Sequence, residues 1–236
     1  MPSRVYLETI MRIIPITKAA ATAVCGSVTQ TTKMPCRSFS LPTESCQTGF
    51  RMAKIAGSIC SSCYADKGNY AMYAKTIKPA QFARLDSVWL AMESSEHAKA
   101  WVSGMVAHIG QDAYFRWHDS GDLQGIHHLT LIVLVARATP NCKHWLPTRE
   151  YAMVKEWIRV FGSLPENLTI RLSAMYPDQP VKIPASLQGV PGVTASNVHS
   201  KGQPVHGQAC NAPAQNGECR DCRLCWTDAV VSYALH

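Results

Sequence analysis

Ten cysteines are spread over 236 residues, and seven of them fall into two groups. The first reads Cys46-x13-Cys60-x2-Cys63, the second Cys210-x8-Cys219-x2-Cys222-x2-Cys225. Zinc sites usually join one C-x2-C pair to a second pair. The run C-x2-C-x2-C suits a cubane iron–sulfur cluster better, because such a cluster takes three closely spaced thiolates and a fourth from a more distant cysteine. Cys210 is placed to be that fourth ligand, and Gly217 leaves the backbone free to wrap the site. The first group offers three thiolates, Cys46, Cys60 and Cys63. Three thiolates leave one iron of a cubane open. The alternative is zinc, with Cys60-x2-Cys63 and Cys222-x2-Cys225 as the two halves of a ribbon holding a very long insertion. Cys36 lies upstream of the first group, and Cys25 and Cys142 stand apart. All three read as buried or incidental thiols.

Composition decides between metal and disulfide. Hydrophobic residues are 47% and charged residues 17%, an ordinary globular balance. A chain of this length buries a core without staples. The stretch Ala19–Ala23 is weakly signal-like, but Pro15 and Lys18 interrupt its apolar run and Glu8 sits early. No apolar stretch approaches the roughly 18 residues of a membrane span. The reading is therefore a cytoplasmic chain, in which clustered cysteines ligate metal. The formal charge of +7 admits a polyanionic partner, although the basic residues form no run.

The elements that must position these thiols alternate along the chain. Residues 1–32 read as a peripheral N-terminal extension. The segment 33–42 reads as a strand stopped by Pro42, and 43–68 as a functional loop. Tyr70 opens a helical pattern that Pro79 breaks or restarts. Phe82, Leu85, Trp89 and Met92 then mark one helix face. Ser94 or Ser95 caps a second helix, with Trp101, Val102, Met105, Val106 and Ile109 as its stripe. Strands are expected at AYFRWH, KHWLPT, NLTIRLSA and GVTASNV, with helices around Leu129–Ala136 and Val154–Phe161. Such alternation predicts parallel strands joined by right-handed crossovers. About five units are too few for a complete eight-unit barrel. The expected fold is α/β, a partial (β/α) TIM-like barrel over 33–201, with a Cys-rich C-terminal segment, 202–236, packed on it. An open α/β sheet is the alternative.

In parallel α/β folds ligands bind at the carboxyl ends of the strands. The first long strand runs into His118-Asp119-Ser120-Gly121-Asp122, the next ends in Thr148-Arg149-Glu150, and the third carries Arg171 and Ser173. These make a polar rim suited to a polar substrate. Helix capping by Asp119 or Ser120 accounts for one or two of them and leaves His118 and Arg171 over. His127 and His128 read as a solvated helix edge.

KMPCRSFSLP, GSICSSCYADKG, FRWHDSGDL, HWLPTRE and the terminal C-x2-C-x2-CW together resemble the phage gene-product-eighty-eight-like family, from about Lys33 to the C-terminus. The resemblance implies a phage or prophage origin and an iron–sulfur protein. More distantly the chain resembles radical S-adenosylmethionine enzymes, which have a partial barrel, a three-cysteine cluster and a Gly-Gly-Glu-like turn. That resemblance implies that Cys46, Cys60 and Cys63 hold a 4Fe-4S cluster and that Ser120, Gly121, Asp122 and Arg149 bind the cofactor. His118, Asp119 and Arg171 become the catalytic candidates. Here the first cysteine gap is thirteen residues instead of three, and Tyr64 follows the last cysteine instead of preceding it.

Three functions follow as expectations. The first is a radical enzyme that uses S-adenosylmethionine on a small-molecule or nucleotide-like substrate and draws on an electron donor. The second is an iron–sulfur redox or nucleic-acid-binding module, with one or two clusters and no catalysis. The third is a zinc-stabilised accessory domain. None of them involves a membrane.

Overall fold

The structure, a computed structural model, describes residues 13–235. The mixed α/β class expected from the alternation is what forms. Eight strands make one sheet in the order β1-β2-β3-β4-β5-β6-β8-β7. They are β1 (Thr29–Gln30), β2 (Arg37–Phe39), β3 (Tyr114–Trp117), β4 (Lys143–Thr148), β5 (Leu168–Ser173), β6 (Val193–His199), β7 (Gln208–Ala209) and β8 (Val231–Ala234). Only β1 and β2 pair antiparallel; every other pair is parallel. The sheet is open, with β1 and β7 at its edges, so no barrel closes.

Seven α-helices accompany the sheet among the described residues: α1 (Lys18–Cys25), α2 (Gln47–Met52), α3 (Gly68–Met72), α4 (Ala74–Glu93), α5 (Ser95–Ile109), α6 (Ile126–Ala138) and α7 (Tyr151–Phe161). Residues 1–12 of the expected extension lie outside the described residues. The rest of it includes α1, whose Ala21 and Cys25 are fully buried. Right-handed crossovers between sequential parallel strands put α4 to α7 on one face. Phe39, Phe115, Trp117, Leu146, Leu168, Ile170 and Leu172 point into that face and meet Trp101, Met105, Ile132 and Trp157. The stripe on α5 is buried at Trp101, Val102, Met105 and Ile109 and half-buried at Val106, and Ser94 caps the helix by accepting from the His97 amide.

Two local expectations give way. Pro79 does not break α4, which runs on to Glu93. It stands early in the helix, where it removes one i→i−4 bond that the remaining turns absorb. The buried face of α4 is also rotated. Gln81, Arg84, Leu85, Val88 and Ala91 are inside, while Phe82 and Trp89 are 41% and 49% exposed. Arg84 draws the helix round, because its guanidinium donates to Ser27 O, to Ser40 O and Oγ, and to Thr29 Oγ1. A buried charge stays inside only when such acceptors meet it.

The opposite face of the sheet is also covered. Ser38, Arg116, Trp145 and Thr169 lie side by side in one row across β2 to β5. The C-terminal segment crosses this row. Trp226 packs edge-on against Trp145 and Tyr114 and donates Nε1 to Phe115 O at 3.0 Å. Thr169 and Thr194 donate to the Trp226 and Asp228 carbonyls. Arg171, wholly buried, donates to five carbonyls: Ala195, Leu224, Cys225, Thr227 and Ala229. One planar fork of donors thus anchors the whole turn 224–229.

At the carboxyl rim, β2 and β3 exit almost in contact. Leu41 N donates to Ser120 O and Ser120 Oγ donates to Leu41 O, both at 2.9 Å. Gly121 makes this approach possible, with φ at +77° and an added Cβ that would stand 2.8 Å from Leu41 O.

Two stability outcomes follow. Gly121→Ala is expected to cost at least about 2 kcal/mol, from the left-handed backbone and the lost approach together. Urea unfolding measures it, and a change within error contradicts the account. Arg171→Met is expected to cost about 3 kcal/mol by stranding the 224–229 carbonyls. It should expose the 200–230 region to limited proteolysis while the helices keep their circular dichroism. Unchanged protection there would mean the anchor lies elsewhere.

Candidate metal centre

The three cysteines of the first group lie in the segment that follows β2. Cys46 is the residue before α2, and Cys60 and Cys63 lie in and just after the short 3-10 turn Ile59–Ser62. Ser58 caps that turn, accepting from the Ser61 amide at 3.1 Å, and donates its own hydroxyl to Met52 O. The segment is fastened over the ends of three successive parallel strands. Gln124, beyond β3, donates its side-chain amide to Ser45 O and Oγ, and its backbone carbonyl accepts from the Gln47 side chain. Glu150, beyond β4, accepts from the Thr48 amide at 2.6 Å and its hydroxyl at 2.8 Å. Met175, beyond β5, accepts from the Ile59 amide at 3.0 Å.

These fastenings bring Cys46, Cys60 and Cys63 within electrostatic reach of one another. Burial pushes all three thiols up. The Asp122 carboxylate adds to the rise at Cys46 and Cys60, and the Arg149 guanidinium opposes it at all three. Gly49 faces the sulfurs across α2. A Cβ there would lie 3.0 Å from Cys46 Cβ, 3.6 Å from Cys46 Sγ and 3.8 Å from Cys60 Sγ. The absent side chain leaves space beside two sulfurs at once, and the all-thiol donor set suits a soft metal or an iron–sulfur cluster.

The second group is enclosed by the C-terminal segment. Cys210, Cys219, Cys222 and Cys225 line a single cavity of about 20 Å³ with Ala212, Leu224, Trp226 and Val231. The Cys210 amide donates to Ser232 O and the Cys219 amide to Lys33 O, which ties the group to β8 and to the start of the parallel region. Burial pushes the Cys219 thiol up to about 11. Tyr233 Oη lies 3.2 Å from Cys225 Sγ. Cys36 packs with Cys225, Trp145 and Trp226, so a fifth thiol stands beside this group. Among the described residues, no three His, Cys, Asp or Glu side chains converge on one metal-ion position. The four thiols stand around a space instead of meeting at a point.

The polar residues of the rim separate into distinct roles. Asp122 is buried, and it accepts from the Leu123 amide at 2.8 Å, the Thr148 hydroxyl at 2.5 Å and the Arg149 amide at 2.8 Å. Burial raises its pKa to about 6 despite those three donors. Arg149 spends Nε on Ala174 O at 3.0 Å, and its terminal nitrogens make no hydrogen bond among the described residues. Asp122 and Arg149 are therefore brought to the three thiols. Ser120 and Gly121 serve the β2–β3 junction. Arg171 lies on the inner face, committed to the C-terminal turn.

His118 and Asp119 sit beneath the rim. His118 is 3% exposed, takes φ +50°, and has no hydrogen-bond partner on either ring nitrogen. Its ring meets His128 at 5.3 Å, and burial holds both imidazoles well below their usual pKa, His128 at about 3. His128 is thus a buried residue and not a solvated edge. Asp119 accepts the Tyr70 hydroxyl at 2.7 Å, and its backbone carbonyl accepts the Tyr64 hydroxyl. Tyr64 also receives Arg116 at 3.2 Å, and Arg116 lies 4.5 Å above the Trp145 ring. This network links the residue after Cys63 to the inner face.

Sequence reasoning put Glu150 on the rim and Tyr64 beside Cys63 without finding their partners, and it missed Tyr70 and Arg116. Glu150 reads as an ordinary first-turn carboxylate, and its partner Thr48 is over a hundred residues away. Tyr64 carries the one available signal, since it adjoins Cys63 directly.

An open, mostly parallel α/β sheet with one thiol group on its carboxyl rim and another on its inner face defines a cysteine-rich α/β protein. The chain belongs to the Gene product 88 family, whose model matches residues 15–228. Comparison with curated proteins and with solved structures finds no match. No helix among the described residues is long and apolar enough to cross a membrane.

Gly49→Ala is expected to weaken cadmium binding at the first group about tenfold, the usual scale for a disturbed metal surround. The helix itself should gain, since alanine favours it over glycine. Cadmium–thiolate absorption titrations read the change, and equal affinity in wild type and variant would show that the space beside the sulfurs is unused.

Proposed function

We propose that the chain is an iron–sulfur protein whose first thiol group, Cys46, Cys60 and Cys63, holds a cubane cluster with one iron left for an outside ligand. The observation that carries this reading is the position of the three thiols. They directly follow the first strand of the parallel run and lie over the ends of β3, β4 and β5, beside Asp122 and Arg149. The consecutive parallel order β2 to β6 supports a partial-barrel reading, and the carboxyl ends of parallel strands are where such folds bind ligands.

The same rim suits the amino-acid end of S-adenosylmethionine. The free nitrogens of Arg149 present a fork to a carboxylate, and Asp122, whose oxygens accept from Leu123, Thr148 and the Arg149 amide, fixes the backbone from which that fork extends. Such a cluster, when bound, supplies the electron that reductively cleaves this cofactor. The protein's part is to bind, orient and exclude water. Glu150 positions Cys46 through Thr48, and the Leu41–Ser120 junction holds the whole loop. His118 and Asp119, both enclosed, support the rim from below. The second group, with four thiols around one closed space, is read as a complete ligand set for a second cluster.

Anaerobic reconstitution tests the reading. About eight iron and eight sulfide per chain are expected, falling to about four of each in Cys60→Ala. Zinc without sulfide would overturn the iron–sulfur assignment. Reduced, loaded protein mixed with S-adenosylmethionine should release 5′-deoxyadenosine, and Arg149→Ala should weaken cofactor binding. A fully loaded protein that neither binds the cofactor nor cleaves it removes the enzymatic part.

A further inference from the structure

The segment that carries the first thiol group has a second property. Residues 47–78 contain five Lys and Arg, namely Arg51, Lys54, Lys67, Lys75 and Lys78, against one acid, Asp66. The difference, 5 − 1, is four of the seven net charges of the whole chain. Lys78 is paired with Glu44. Lys54, Lys67 and Lys75 are exposed and form no ion pair among the described residues. Three cations of the segment, Lys54, Lys67 and Lys75, are therefore left without protein counter-charges among the described residues.

The same segment exposes aromatic rings. Phe50 is 53% exposed and Tyr73 is 56% exposed. The Lys54 ammonium sits 4.3 Å from the Phe50 ring centroid, so cation and ring are presented together. Single exposed rings are ordinary at a protein surface, but each of these stands within four residues of an unpaired lysine, Lys54 or Lys75. Nothing in the core requires these two outside, since the sheet and helices already bury Phe39, Phe115 and Trp101.

From these observations we propose that the rim segment 47–78 binds single-stranded nucleic acid and draws the strand across the three-thiol site. Unpaired lysines meet phosphates, and exposed rings meet unstacked bases, the combination that single strands require. An acidic peptide would use the lysines but has no need of the rings. A duplex keeps its bases stacked and also leaves the rings bare. The binding claim rests on the rim's own side chains and stands whether or not the thiols carry a cluster.

The test is fluorescence anisotropy of the full chain with a fluorescein-labelled oligothymidylate of about 20 nucleotides, in a series from about 50 to 200 mM salt. Log affinity should fall linearly with log salt. Lys54→Ala with Lys75→Ala should weaken binding at least about tenfold and flatten the salt slope by about 1.4, at roughly 0.7 for each of the two lost phosphate contacts. Phe50→Ala with Tyr73→Ala should weaken binding about tenfold and leave that slope unchanged. The control pair, Lys143→Ala with Lys155→Ala, removes the same charge from the start of β4 and from α7 and should leave affinity within about twofold. All six positions except that of Tyr73 are judged by thermal melts first, and Tyr73→Phe, which keeps the ring, should restore binding if Tyr73→Ala alone disturbs folding. Equal loss in the control pair would overturn the proposal in favour of diffuse charge. So would equal binding of the corresponding duplex, displacement by polyglutamate as effective as by the oligonucleotide, or no salt-sensitive binding at all.

Discussion

The rim depends on how closely two strand exits can approach. β2 and β3 leave the sheet side by side, and the paired hydrogen bonds between Leu41 and Ser120 hold their exits at contact distance. Any side chain on residue 121 would enter the Leu41 backbone. The contact sets the direction in which the chain departs toward Cys46, and it sets where Asp122 turns back to meet Thr148 and Arg149. A shift of one strand exit would move the thiols and the carboxylate by different amounts. The three fastenings further on, at Gln124, Glu150 and Met175, can form together only if that starting point is fixed.

The inner face poses the complementary problem. In a closed barrel the interior is filled by side chains from the strands themselves. Here the sheet stays open, and its inner row includes Arg116, Trp145 and Arg171, which cannot fill a barrel interior without partners for their polar atoms. The C-terminal segment supplies Arg171 with backbone carbonyls and covers Trp145 with the Trp226 ring, while Arg116 is met by Met34 and Tyr64. Its thiol group is thereby packed against the sheet, and the cavity between its four cysteines is walled by Trp226 and Val231. The open sheet and the enclosed second thiol group are two aspects of one packing solution. The segment that covers the inner face is also the one that gathers the cysteines.

Much of this was legible in the sequence, and the parts that were not share a cause. The strands at 114–117, 143–148, 168–173 and 193–199 announce themselves by β-branched and aromatic runs, and α5 and α7 by their apolar period. The grouping of the cysteines is local and could be counted. Arg84, Arg171 and His128 could not be placed, because a polar residue's burial depends on acceptors or neighbours far off in sequence. Arg84 finds Ser27, Thr29 and Ser40; Arg171 finds the turn 224–229. Arg171 at a strand end reads as a rim residue, yet strand alternation turns it inward. The Tyr64–Arg116 and Thr48–Glu150 contacts are long-range for the same reason, and no spacing rule reaches them.

The two thiol groups differ in how their charge is balanced. Burial raises the Cys46, Cys60, Cys63, Cys210, Cys219 and Cys225 thiols, so each favours its proton until a cation displaces it. At the second group the surroundings are apolar residues together with Tyr233, Arg171 and Arg116. At the first group the surroundings are Asp122, Glu150 and Arg149, and the loop around it is exposed and cationic. A cation enclosed by four thiolates leaves its ligand shell full, and its effect is on the fold. A cation held by three, beside an acid and a free guanidinium, leaves both a coordination position and the polar groups to orient what fills it. The asymmetry of the ligand sets thus runs in the same direction as the asymmetry of their surroundings.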